Sequence, residues 1–410
     1  MADLLGFTAL ALVSLLTVFV ALRYPSILKI LYVALIIRIF ILLIGHYITP
    51  LPDSTADAEG FENYAWHIGR DGFSYIFTYY SGPDPFFISW LMSFPYSLFG
   101  RSILMLQSIS LLFGMGSIFL GWLLAKKLWN DRIANTVGWT IALFPSLVLY
   151  SVLVMREVYV CFFILLALHG VVSWIRTKKL KSIVLATIGF IGATFFHGAM
   201  FVGLIVFIII VGISSLKTLV KSLINFRINL GILISLILIV TSSGLYVSNK
   251  TYIPNLTTLE KGIELSNLLK KTSISTRGTA SWPSWTVPTT PFELLYKGPV
   301  RAIYFLFSPF PWDVKETKHL IGMFDSFLYI FLTFLILSNL RAIWKDPVLR
   351  VILILLIIYV FVFGIGVGNF GTGIRHRSKI TVMLILLAAP LLKRFILFKK
   401  TDKISKLKRY

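Results

Sequence analysis

Residues 30–62 read ILYVALIIRIFILLIGHYITPLPDSTADAEGFE, an apolar run interrupted by Arg38 and followed at once by four carboxylates, Asp53, Asp57, Glu59 and Glu62, within ten residues. An apolar run of ~20 residues crosses the ~30 Å hydrocarbon core as a helix, because in lipid each backbone N–H and C=O must bond within its own segment. The stretch therefore predicts a membrane span that delivers a dense acidic cluster to a membrane surface. Only 17 acidic residues occur in the whole chain, so four in one place is a concentration with chemical potential.

Similar apolar runs recur along the 410 residues, of which 57% are hydrophobic and only 14% charged. With a mean hydropathy of +0.86, the chain lies outside the soluble globular range and reads as an all-α polytopic membrane protein. About eleven spans are predicted, at roughly 4–22, 30–49, 102–125, 133–153, 157–175, 182–196, 199–214, 229–247, 322–340, 351–367 and 380–396. The first, Leu4 to Leu22, lacks a basic leader and a small-residue cleavage pattern, and reads as a retained span. Residues 1–247 form an N-terminal transmembrane region carrying an acidic loop at 50–101. A second long loop region at 248–321, C-terminal spans within 322–396 and a basic tail at 397–410 complete the division. The single cysteine, Cys161, excludes an intrachain disulfide and a cysteine metal cluster.

The formal charge of +22 is dealt out loop by loop. Arg23 and Lys29; Lys126, Lys127 and Arg132; Arg176, Lys178, Lys179 and Lys181; Lys217, Lys221 and Arg227; Arg341, Lys345 and Arg350; and the tail from Lys393 occupy alternate connections. The positive-inside rule makes these cytoplasmic, which predicts an N-terminus outside and a C-terminus inside. Nucleic-acid binding would need the basic residues gathered on one soluble face, so no nucleic-acid partner is expected. The tail is suited to anionic membrane lipid.

The segments 50–101 and 248–321 then face outward, and both are rich in Pro, Trp, Tyr and Gly. They read as two long outer loops carrying amphipathic helices along the membrane: Ala58 to Ile68, an apolar Pro85 to Leu98 broken by Pro95, and Leu259 to Leu269. Ser281-Trp282-Pro283-Ser284-Trp285 and Ser308-Pro309-Phe310-Pro311-Trp312 read as extended stretches whose aromatics suit interfacial anchoring or sugar contact. Cations also stand on this outer side against the charge trend: Arg156 beside Glu157, His197 in a tight turn, and Arg375-His376-Arg377 with Lys379. Such cations need an anion, and guanidinium forks match phosphate oxygens; Arg156 could instead pair with Glu157. Arg38, in the middle of the second span, requires an internal partner or a water-filled cavity. A plainer reading makes Asp57 a helix N-cap.

The positions Asp57, Gly60-Phe61, Ala65, Pro85-Phe86-Phe87, Leu98-Phe99-Gly100-Arg101-Ser102, Lys126-Lys127-Leu128-Trp129, Phe144-Pro145-Ser146, Tyr150-Ser151 and Arg156-Glu157 together resemble the N-terminal half of the GT-C glycosyltransferases. These include the protein O-mannosyltransferase and aminoarabinose transferase relatives. The resemblance covers roughly residues 50–215 and implies sugar transfer from a polyprenyl-phosphate donor at the outer face, with an acidic residue of the first outer loop as catalytic base or metal-linked carboxylate. That residue matches Asp57, with Asp53 next and Glu59 as the further candidate. The chain departs from the pattern in carrying one more span before the loop and no adjacent Asp-Glu pair.

Arg156, the Arg176-Thr177-Lys178-Lys179 turn, His197-Gly198-Ala199 and the Arg375-His376-Arg377 loop are also similar to Wzy-type O-antigen and exopolysaccharide polymerases. Those enzymes use outer arginines to hold the pyrophosphate of polyprenyl-linked glycans. Both resemblances imply a polyprenyl-phosphate- or polyprenyl-pyrophosphate-linked sugar as partner and a bacterial inner membrane as location. In either, Asp57 would take the acceptor proton while Arg156, His197, Arg375, His376 and Arg377 hold the lipid phosphate. A divalent metal, Mg or Mn, is a possible cofactor where two carboxylates meet phosphate oxygens. The reading from a different class is a lipid-linked sugar transporter, which would be expected to show corresponding halves with paired broken helices.

Overall fold

The computed structural model describes residues 2–80, 82, 84–224 and 279–397. It is about 83% helical with no strand among the described residues; a single antiparallel bridge joins Ser281 to Asn369. The expected span at 229–247, the helix at Leu259 to Leu269 and the tail from residue 398 lie outside the described residues.

The chain opens with the antiparallel helices α1 (Ala2–Arg23) and α2 (Leu28–Tyr47). From there to Arg101 it stays at one end of the bundle: a wide π-type turn over Ser54–Ala58 runs into α3 (Glu59–Gly69), followed by α4 (Phe73–Ile76) and α5 (Phe87–Phe99). Next come α6 (Ile103–Leu128), α7 (Asp131–Leu143), α8 (Pro145–Tyr150), α9 (Arg156–Thr177), α10 (Leu180–Phe196) and α11 (Phe201–Ile224). The C-terminal part holds α12 (Glu293–Phe307), α13 (Thr317–Ser338), α14 (Leu340–Lys345), α15 (Pro347–Gly366), α16 (Phe370–Ser378) and α17 (Thr381–Leu397). Six described helical segments are long and apolar enough to cross a membrane: α1, α2, α6, α9, α15 and Gly198–Leu216, which covers most of α11. Shorter apolar stretches form α5 and α10 and parts of α13 and α17.

The fourth expected span, 133–153, is not one helix. α7 stops at Leu143, Phe144 is extended (φ −67°, ψ 120°), and Pro145 opens α8. A proline disfavours helical geometry in the residue before it and has no N–H to continue the ladder. Pro95, by contrast, does not break α5: the helix runs through it to Phe99. The flanking Ser93 and Ser97 hydroxyls donate to the carbonyls of Trp90 (2.7 Å) and Phe94 (2.9 Å); neither is the Leu91 carbonyl that an N–H at position 95 would have met.

Three buried arginines stand where helices end. Arg38 donates from Nη1 to the Ala142 carbonyl (2.7 Å) and from Nε to Ser151 Oγ (3.0 Å), closing the C-terminus of α7. Arg301 donates to the carbonyls of Gly364 (3.1 Å) and Val367 at the end of α15. Arg377 donates to those of Leu306 (3.0 Å) and Ser308 (2.8 Å) at the end of α12. Terminal carbonyls have no partner within their own helix and carry the negative end of its dipole, so a cation there satisfies both. The partner expected for Arg38 is thus a helix end.

Helices α9 and α10 pack closely through small residues. A Cβ on Gly170 would lie 2.3 Å from the Ala186 nitrogen, and one on Gly189 would lie 2.3 Å from that of Ala167. Close backbone approach of this kind is how apolar helices associate where lipid offers no hydrophobic drive. The basic turns gather at the end opposite the acidic loop: the Arg176 guanidinium donates to the Lys127 carbonyl (2.6 Å) and Lys178 Nζ to Ser214 Oγ (3.3 Å).

The loop 50–101 is anchored by its own charge network. Glu62 is 2% exposed and accepts from the Tyr96 hydroxyl (2.6 Å) and twice from Arg101 (3.0 and 2.7 Å). Ser89 Oγ donates to the Phe61 carbonyl (2.8 Å), so α3 and α5 are fastened together. The hydrogen bonds from Arg101 to Glu62 hold its guanidinium pKa above its ordinary value.

Candidate functional site

The acidic end brings residues from four distant parts of the sequence into one cluster. The turn Ser54–Ala58 presents Asp57, which forms an ion pair with Arg375 of α16. The Asp57 side chain is 47% exposed and that of Arg375 only 13%, so the carboxylate faces the open side of the pair. Asp57 is therefore an ion-pair partner within a helical turn and not the cap of α3, whose N-cap position is Ala58. Asp53, with a left-handed φ of 63°, accepts from the Tyr150 hydroxyl at 2.9 Å. Tyr150 follows from the break at Pro145, because α8 turns the chain back to the acidic end just before α9 starts.

Helix α9 contributes Arg156 and Glu157 from its first turn. The direct contact of Glu157, which is 1% exposed, is with Lys379 Nζ at 3.0 Å, so the alternative pairing of Arg156 with Glu157 is reduced to attraction through the field. The Arg156 guanidinium instead lies over the Phe61 ring, 5.1 Å from its centroid. Its Nε is buried with no hydrogen-bond partner, as is Nε of Arg375. Lys379 Nζ also donates to His376 Nδ1 (2.6 Å). The His376 ring meets that of His197 edge-on at 4.8 Å, and Phe363 packs against both, at 5.2 and 5.3 Å.

Burial and charge set the protonation of the groups on α16 and the turn after it, which lie outside the spanning helices. Burial lowers the Lys379 ammonium to about 7, against the pull of Glu157 toward the charged form. Burial, reinforced by Lys379, His197 and Arg375, pushes His376 far below the usual imidazole value and leaves a neutral ring. Burial also opposes the charge on Arg375, but Glu157 and Asp57 outweigh it and raise its pKa.

Of the residues singled out in the sequence, Asp53, Asp57, Arg156, His197, Arg375 and His376 belong to this cluster. Glu59 is exposed at the start of α3. Arg377 points the other way, fully buried, with Nη2 on Asp325 Oδ2 (3.1 Å) and Ser326 Oγ (3.1 Å) in addition to its two carbonyls. Both its Nη atoms are occupied by the protein and its Nε, though without a partner, is fully enclosed, so the expected contact with lipid phosphate would require this network to open. Tyr150 and the Glu157–Lys379 contact received no site role in the sequence reading. Reading 370–378 as a helix would have flagged Arg375 and Lys379, four apart, as neighbours on one face. A tyrosine at a span end carries no comparable signal, since interfacial anchoring places it there equally well.

Among the described residues no group of three or more His, Cys, Asp or Glu side chains is disposed to hold a metal ion. Comparison with protein-family models, with curated proteins and with solved structures returned no match. The glycosyltransferase and polymerase resemblances rest on the quoted sequence positions alone.

Proposed function

We propose that this chain is a membrane-embedded glycosyltransferase that moves a sugar from a polyprenyl-phosphate-linked donor to an acceptor at the outer face of a bacterial inner membrane. The observation that carries the reading is the ion pair of a half-exposed carboxylate, Asp57, with the half-buried guanidinium of Arg375, in the field of a second half-buried guanidinium, Arg156, the Nε atoms of both arginines being buried without a partner. A lipid phosphate would supply those missing acceptors and compete for Arg375, releasing Asp57. Asp57 then takes the proton of the acceptor hydroxyl as its oxygen attacks the anomeric carbon. The bond from that carbon to the phosphate oxygen breaks, and polyprenyl phosphate departs with the electron pair, its charge held by the two arginines. Tyr150 orients Asp53 beside this path, and the Glu157–Lys379–His376 contacts fix the height of α16. The charge asymmetry of the loops supports an N-terminus outside and a C-terminus inside.

A divalent cation would be held by Asp53 or Asp57 together with phosphate oxygens, and chelation during the assay tests this. The decisive experiment offers purified protein in proteoliposomes a panel of polyprenyl-phosphate sugars and measures release of polyprenyl phosphate. Asp57→Asn is expected to lower turnover by ~10²-fold or more with donor binding retained. Binding without release from every donor, with lipid crossing the bilayer instead, would make the chain a transporter.

A further inference from the structure

A groove of about 390 Å³ opens beside the cluster, walled by Phe87 and Leu91 of α5, Phe113 of α6 and Phe163 of α9. Its floor is one stripe of α10: Ile188, Ile191, Phe195 and Phe196 fall at helical spacing, with Gly192 keeping the surface low. The volume lies in the range of small-molecule sites, ~300–1,000 Å³. Two features give it a direction. At one end Ile188 and Ile191 are 53% and 41% exposed, on the outward side of a short apolar helix. At the other, Phe196 immediately precedes His197, whose ring touches His376 of the charged cluster. From Ile188 to Phe196 the stripe runs ~12 Å at 1.5 Å per residue.

We infer that this groove holds the isoprenoid chain of a polyprenyl phosphate, in the units next to the phosphate, while the head lies against Arg156 and Arg375. The inference rests on the proposed function and assigns the substrate's tail to a place. The lining is ring faces and aliphatic carbon: Phe87 meets Phe195 at 4.8 Å and Phe196 at 5.2 Å, and Phe163 meets Phe196 at 5.9 Å. A ring-lined slot that is preformed suits a stiff, methyl-branched, unsaturated chain, which loses less freedom on immobilisation than a straight acyl chain. The nearness of the groove's Phe196 end to the charged cluster, through His197 and His376, favours a lipid that carries its phosphate directly on the hydrocarbon. A phospholipid sets a glycerol between the two.

The test is photolabelling of the full chain in proteoliposomes by an undecaprenyl phosphate analogue with a diazirine in the isoprene unit next to phosphate. Adducts are expected on α5 and α10, displaced by unlabelled undecaprenyl phosphate at concentrations at least ~10-fold below hexadecyl phosphate. Ile191→Trp, on the exposed lip where a larger side chain leaves the packing intact, should reduce labelling at least ~10-fold, with Ile188→Trp as the second variant. Adducts confined to helices that do not line the groove, or undiminished labelling of both variants, overturn the inference. So does equal labelling by a diazirine-acyl phosphatidylglycerol that undecaprenyl phosphate fails to displace, which would make the groove a site for bulk lipid. Sugar release is read separately: transfer that persists with adducts outside the groove sinks the groove alone. Groove adducts with no transfer from any donor sink the glycosyltransferase reading alone.

Discussion

Successive residues of an α-helix turn by ~100°, so residues two apart point roughly 200° away from each other. Arg375 and Arg377 follow this rule: one reaches Asp57 at the half-open cluster, the other is closed in with Asp325 and the end of α12. Their alanine variants should therefore fail in different ways. Arg377→Ala leaves Asp325 buried without its counter-charge and is expected to cost about 3–5 kcal/mol, visible as poor yield and a lowered Tm. Arg375→Ala should fold and instead lose affinity for polyprenyl phosphate; comparable Tm losses in both variants would remove the distinction. His376 has its own signature. Its folded pKa lies well below the unfolded value of 6.5, so the folded state binds fewer protons over that interval. The stability His376 supports is complete above pH 6.5 and is lost as pH falls below it. Thermal melts from pH 7 to 5 should fall less steeply for His376→Gln than for the wild type, its neighbours Lys379, His197, Arg375 and Arg156 being common to both. Which residues carry unusual charge was legible in the sequence, because cations on the acidic side break the loop trend. Which anion each one meets was not, since Asp57 and Arg375 are brought together only by packing.

At the level of elements, long spans such as α6, α9 and α15 were legible because a run of apolar residues needs no tertiary knowledge to be recognised. The break between α7 and α8 was written just as openly, in Pro145, but the apolar residues on either side carry a composition window straight across it. Pro95 taught the reverse: the same residue type sits inside a continuous α5. The α9–α10 pair depends on a feature no hydropathy window registers, the absence of two side chains. Gly189→Val would drive a branched side chain into the backbone of α9 at Ala167. The expected result is a loss of about 1–3 kcal/mol or more, measured as a lowered Tm in detergent. Gly298, around which a Cβ would meet nothing within 4 Å, provides the matched control. An equal loss there would show general sensitivity of glycine sites.

Across the whole molecule, the acidic loop and the basic turns occupy opposite ends of the bundle, and this polarity is the basis of the proposed orientation. A cysteine at Ser54 in a Cys161→Ser background should react with an impermeant thiol reagent on intact cells. Labelling only after permeabilisation would turn the molecule over and carry the cluster to the cytoplasm. The polarity was legible from loop charge alone, whereas the cluster it surrounds needed α8, α9 and α16 to converge. The Arg38 contact with α7 also constrains how the protein is made. Arg38 precedes its carbonyl partner Ala142 by 104 residues, a delay of roughly 5–20 s at 5–20 residues synthesised per second. For that interval a nascent α2 carries a guanidinium whose placement at the centre of a bilayer costs about 2.5–3.5 kcal/mol on insertion scales. Early in biogenesis α2 is thus a reluctant span. It settles fully only when α7 emerges beside it, so α2 is finished no earlier than a helix that follows it by about a hundred residues.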